Sequence, residues 1–266
     1  MTSASVSLLR LPTILMYHGV EVVPEDPYEL CVTPAEFSRQ MAWLADHGLR
    51  GVSVSELMDA VGAGRPSGLV GLTFDDGYLN NLDQVVPSLL RHGFTATMFI
   101  VSRLLGKTNE WDAGPVWPLV SAAQVLELAE AGMEIGSHTD THARLVGVGG
   151  DKLTAEVRGS RSDLSELLGR PVRGFCYPYG SMDAAAKRAV REAGYAWAVA
   201  VEAPLPDIGM MTLPRIPFSP RLLRSAQDSP GLSVAKRLAL PSYVVAKGLR
   251  RKVTDVRRRL LPPGRH

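Results

Sequence analysis

Seven times along this chain a short apolar run gives way to a segment of helical spacing, and that alternation restricts the fold more than any other feature. The runs are TILMY (13–17), LVGLTF (69–74), TATMFIV (95–101), MEIGS (133–137), GFCYP (174–178), YAWAVAV (195–201) and LPRIPF (213–218). Helix starts between them are marked chemically. Thr33 can cap a helix, Pro34 suits its first turn, and Glu36 completes a capping box; Ser121 with Gln124 repeats the pattern. Residues 152–168 and 183–193 read as further helices, and glycines stand at the expected stops. Strands separated by crossover helices lie parallel, so the expectation is an α/β domain, either a closed barrel or a doubly wound sheet. A chain of 266 residues can bury such a core in one piece. Two longer loops, 18–33 and 102–120, interrupt the pattern, and the second carries Trp111 and Trp117.

Charge divides the chain. Residues 236–266 hold ten Lys/Arg against one acid, Asp255, which is +9 in a chain of net charge +2 and leaves −7 for residues 1–235. The expected division is therefore a body of 1–235 and a basic helical tail of 236–266. Such a tail suits an anionic membrane surface or packing on the body, whereas the acidic body opposes nucleic acid. Cys31 and Cys176 have neither disulfide nor zinc-finger spacing. The apolar N-terminal run is broken by Arg10 and Pro12 and lacks a basic leader region, and no run reaches about 18 apolar residues. A cytoplasmic protein, peripheral at most to the inner membrane face, is the expectation.

The residues with chemical potential gather at strand ends. Thr73-Phe74-Asp75-Asp76-Gly77 places two carboxylates side by side after the second run. Such a pair is costly unless a cation or hydrogen bonds offset it, and the two side chains point in different directions. One can bind a metal while the other faces water or substrate. Ser137-His138-Thr139-Asp140-Thr141-His142 ends the fourth run and holds two of the six histidines, spaced to converge on one ion. Two imidazoles and a carboxylate at the same end of a parallel sheet supply three ligands and leave a position for water. Phe175-Cys176-Tyr177-Pro178-Tyr179-Gly180 ends the fifth run, either as a groove wall with a presented N–H or as an aromatic turn. His18 ends the first.

T-F-D-D-G, then H-T-x-x-H, then F-x-Y-P-Y-G, in this order, resemble the polysaccharide deacetylase family of NodB-type carbohydrate esterases over about residues 12–218. The resemblance implies a distorted (β/α)7 barrel and hydrolysis of an N-acetyl group on an aminosugar, glycan or lipid-linked sugar. It implies Asp76, His138 and His142 as ligands of one divalent ion, Zn2+ first, with Co2+ or Ni2+ as substitutes. Asp75 becomes the catalytic base, and the backbone N–H of Tyr179, flanked by Tyr177 and Pro178, holds the oxyanion. The opening I-L-M-Y-H-G-V is similar to the poly-N-acetylglucosamine deacetylase subgroup, which makes His18 the general acid. Many members carry an arginine where this chain has Cys176, so Arg215 is expected either to supply that guanidinium from a neighbouring strand or to form a structural ion pair. Family members that hydrolyse cyclic amides or ureides, and a degenerate carbohydrate-binding module, are the rival functions.

Overall fold

The computed structural model describes residues 12–201 and 208–217; the basic segment 236–266 and the boundary at 235 lie outside them. β1 (Ile14–Tyr17) leads through β2 (Gly19–Val20) and β3 (Cys31–Val32) to α1 (Pro34–Asp46), then β4 (Arg50–Val52) and α2 (Val54–Gly62). β5 (Leu69–Phe74), α3 (Val86–Leu90), β6 (Thr97–Ile100), α4 (Ala122–Glu130) and β7 (Glu134–Ser137) follow. The described chain ends with α5 (Gly150–Thr154), α6 (Ser160–Leu168), β8 (Gly174–Cys176), α7 (Ala184–Glu192), β9 (Trp197–Ala200), β10 (Leu213–Pro214) and β11 (Ile216–Pro217).

The main sheet runs β10-β9-β8-β7-β6-β5-β1-β11, with β4 on the first half of β5. Every pairing within it is parallel. β10 and β11 are two halves of one stretch broken at Arg215. The first half pairs with β9 and the second with β1. Residues 213–217 thus touch both edges of the sheet and nearly close it into a barrel of seven staves, with the helices packed around it. The expected distorted (β/α)7 barrel is the fold, and the doubly wound alternative is ruled out by that last stave.

Strand alternation then decides what faces the interior. On β5, Val70, Leu72 and Phe74 join the outer core beneath the helices, which also takes Leu15 and Tyr17 from β1 and Phe175 from β8. Tyr17 stacks on Phe74 at 5.1 Å, and Phe37 of α1 meets both rings edge-on. The opposite parity gathers Ile14, Phe99, Cys176, Trp197, Val199 and Leu213 into an inner core. Phe99 and Trp197 fill the barrel's waist because the staves beside them are bare: a Cβ at Gly136 would overlap Phe99, and one at Gly174 would overlap Trp197. Below the waist, Glu134 accepts hydrogen bonds from Thr97 and Ser55 and closes the lower end. Above it, the same parity delivers Asp75, His138, Cys176 and Arg215 to the carboxyl end of the staves.

Three details differ from the sequence reading. β4 and α2 fall where no element was expected. The run 174–178 is a strand only to Cys176, after which residues 178–180 form a tight turn. The helix expected over 152–168 begins at Gly150 and passes through a wide π turn at Ala155–Gly159. No helix among the described residues is long and apolar enough to cross a membrane.

Candidate metal and catalytic site

At the upper rim, the turn after β5 holds Asp76 in the left-handed region, φ 73°, with Gly77 following at 75°. The loop after β7 does the same at Thr139 (φ 67°) and His142 (φ 62°), and the turn after β8 at Tyr179 (φ 58°). Left-handed backbone costs a residue with a Cβ about 1–3 kcal/mol, and such strain gathers where a site over-determines its geometry. Here it turns Asp76 and the two histidines toward a single point. Asp76 Oδ1 lies 3.3 Å from Nε2 of His138 and 3.3 Å from Nε2 of His142. All three side chains are buried, and that oxygen has no hydrogen-bond partner.

A buried carboxylate oxygen without a donor is expensive. This one sits between two imidazole nitrogens whose other nitrogens are engaged. His138 Nδ1 lies 3.0 Å from the Cys176 carbonyl, and His142 Nδ1 lies 3.1 Å from the Tyr179 hydroxyl. A carbonyl only accepts, so His138 donates from Nδ1, and its Nε2 is the nitrogen that faces Asp76 and can take a proton or a cation. Ligand atoms of the three residues all lie within 4.8 Å of one another. An N2O donor set with an orphaned oxygen fits a small divalent cation. The electrostatics agree: burial works against charge on Asp76, yet the two histidines hold its carboxyl well below the usual range. Burial keeps His142 below the ordinary imidazole value. Burial also opposes charge on His138, but Cys176 and the neighbouring carboxylates raise its pKa well above the usual value. Surroundings that favour a proton there favour a divalent cation too.

Beside this point stands Asp75. Arg215 grips it with both arms, Nη1 to Oδ1 at 2.6 Å and Nη2 to Oδ2 at 2.7 Å, and also donates to Thr73 Oγ1 and Cys176 Sγ. The guanidinium is 0% exposed and Asp75 2%. Desolvation pushes the Asp75 pKa up, but Arg215's charge and hydrogen bonds outweigh it and hold the carboxylate ionised. The small Cys176 side chain leaves room for this approach from the last stave. His18 Nε2 lies 3.8 Å from Asp75 Oδ2, and this side chain is partly open to solvent.

Not every expected residue reaches the rim. Tyr177 is fully enclosed, and its hydroxyl donates to the Met211 carbonyl. Pro178 is buried as well. Neither forms a groove wall, because odd positions of this strand face the helices and the following turn is folded inward. Trp117 packs edge-on against Tyr78, while Trp111 stacks on His142 at 4.2 Å.

Two residues absent from the sequence reading shape the site. Glu156, buried on the π turn, accepts from the backbone N–H groups of Asp140 and Thr141 and from the Thr141 hydroxyl. It holds the arc between the two histidines from below, while Ser102 and Arg103 bind Asp140 from the side. Asp112, in the loop 102–120, accepts from the Tyr179 hydroxyl at 3.0 Å. Nothing in their local sequence separates them from other acids; only the fold brings them near.

The sequence pattern of the family described as polysaccharide deacetylase matches residues 63–198. The Bacillus subtilis protein YxkH is 29% identical over 221 residues, 82% of this chain and 74% of that protein. The poly-β-1,6-N-acetyl-D-glucosamine N-deacetylase of Staphylococcus epidermidis is 27% identical over 197 residues, 70% of this chain and 67% of that enzyme. Among solved structures, the Streptococcus pyogenes deacetylase PplD in complex with acetate superposes with a TM-score of 0.69 at 26% identity, covering 80% of this chain and 94% of that one.

Proposed function

Because the chain belongs to the polysaccharide deacetylase family, we propose that it hydrolyses N-acetyl groups on an aminosugar polymer, with one divalent cation held by Asp76, His138 and His142. The observation that carries this reading is the Asp76 oxygen, buried without a donor and equidistant from two imidazole nitrogens, beside a carboxylate locked in its ionised form. A divalent cation bound there supplies Lewis acidity for an amide carbonyl and acidity for water.

The chain's own groups account for the proton traffic. Asp75, kept ionised and fixed in place by the Arg215 fork, accepts the proton of the attacking water. The backbone N–H of Tyr179 is the donor for the negative charge that develops on the carbonyl oxygen, an interaction often worth about 3–4 kcal/mol. His18, beside Asp75 and partly open to solvent, delivers a proton to the departing amine. Without that proton the C–N bond breaks slowly, because an amide anion is a poor leaving group. The staphylococcal relative supports a glucosamine polymer as the substrate class.

The test is acetate release by the Zn2+-supplemented protein from β-linked N-acetylglucosamine oligomers, set against ring opening of small cyclic amides. The expected result is acetate from the oligomers and no turnover of the cyclic compounds. Turnover of cyclic amides alone would replace the proposal with a ureide-type hydrolase. Stoichiometric glycan binding with no turnover of either would leave a binding module.

A further inference from the structure

The geometry points to the Tyr179 hydroxyl and Asp112 as positioning groups for His142, forming a two-step hydrogen-bond relay that fixes which imidazole nitrogen faces the cation. The inference rests on the proposed metal site and adds to it a role for a side chain whose backbone N–H alone had been assigned.

The polarity of the relay follows from its far end. A carboxylate oxygen without a proton only accepts, and the phenol donates its proton to Asp112 Oδ2 at 3.0 Å. The phenol oxygen then has lone pairs alone to offer His142 Nδ1, 3.1 Å away, and that nitrogen must be the donor. The Nε2 lone pair is thereby left facing Asp76 Oδ1. His138 reaches the same state through a backbone carbonyl, which no side-chain change can remove. His142 depends on two side chains from separate loops. Trp111, next to Asp112, stacks on the His142 ring, so the loop 102–120 holds this imidazole by its face and its edge. The Arg144 guanidinium lies 3.5 Å from the centre of the Tyr179 ring and fixes the phenol beneath it.

Tyr179→Phe removes the hydroxyl but keeps the ring, its stacking and its N–H. Zn2+ affinity of the full-length protein, read by competition with a chromophoric chelator, is expected to fall about 10–100-fold in this variant, the range for losing an outer-shell partner. Asp112→Ala is expected to weaken binding in the same direction. The double variant should bind no more weakly than Tyr179→Phe alone, because both lie on one chain of bonds. Unfolding midpoints of the metal-stripped proteins should agree with wild type, which separates positioning from loss of structure. Wild-type affinity in Tyr179→Phe, or losses that multiply in the double variant, would overturn the relay while leaving the metal site standing. A wild type that binds no Zn2+ would overturn both.

Discussion

Asp75→Asn is expected to retain one Zn2+ per chain and to release acetate about 10²–10⁴-fold more slowly, the usual range for losing a general base. The two halves of this result have separate origins. Asp75 is outside the cluster of Asp76, His138 and His142, so the three-ligand set stays whole and only a neighbouring charge is lost. The amide has nearly the shape of the carboxylate but cannot take a proton from water. It still accepts one hydrogen bond from Arg215, so the barrel's rim should keep its form. Metal titration alongside acetate release checks both halves. Near-wild-type turnover in Asp75→Asn would move the base elsewhere.

Arg215→Met is expected to lower unfolding stability by about 3–5 kcal/mol, because it strips the partner from a buried carboxylate. Replacing both members with apolar groups would cost less; removing one leaves Asp75 enclosed without its bidentate partner, with only the Cys176 thiol and the more distant His18 beside it. The pH dependence has a definite sign. In wild type the Asp75 pKa is depressed, so its contribution to stability is present above the unfolded carboxylate value and fades as pH falls through the lower folded value. Without Arg215, burial is opposed only by the charges of His138 and His18, and the folded value moves up. The variant should then gain stability relative to wild type as pH falls, and the acid limb of its kcat/KM profile should move to higher pH. Arg215→Lys keeps the charge but loses the fork, and should fall between the two. Denaturant unfolding and pH–rate profiles of the three proteins measure this; equal stability and coincident acid limbs would remove Arg215 from the site.

The architecture was legible because its signals are local and repeated. TILMY, LVGLTF and the five runs after them each mark a stave, and Ser121 with Gln124 forms the capping box the sequence announces. The missed pair, β4 and α2, had a signal of its own: Ser53 and Glu56 stand at capping-box spacing, and the Ser53 side chain accepts from Glu56 N. Three strand residues, Arg50-Gly51-Val52, were too short to show a period of two. Parity explains what the motifs could not. Asp75, Cys176 and Arg215 are far apart in sequence, and each lies at an inward position of a different stave, which only the closed sheet makes evident. For Arg215 the sequence left two readings, a guanidinium for the base or a structural ion pair; the structure shows it on Asp75, in a stave so interrupted that it counts as two short strands.

Glu156 and Asp112 had no such signature. Each is one acid among many in a polar segment, and each matters through a contact across a fold that had yet to be built. Trp111 stood in a loop with no assigned partner, and only the fold lays its ring over His142. The strained turns were also hidden: T-D-T-H reads as a polar loop, and nothing in it announces left-handed backbone at Thr139 and His142.

One equilibrium measurement bears most directly on the proposed sharing of one cation by Asp76, His138 and His142. Full-length protein stripped of metal and titrated with Zn2+ should take up one equivalent per chain, and the variants Asp76→Ala and His138→Ala should each lose it. Uptake by either variant equal to that of wild type, or none by wild type, would contradict the account.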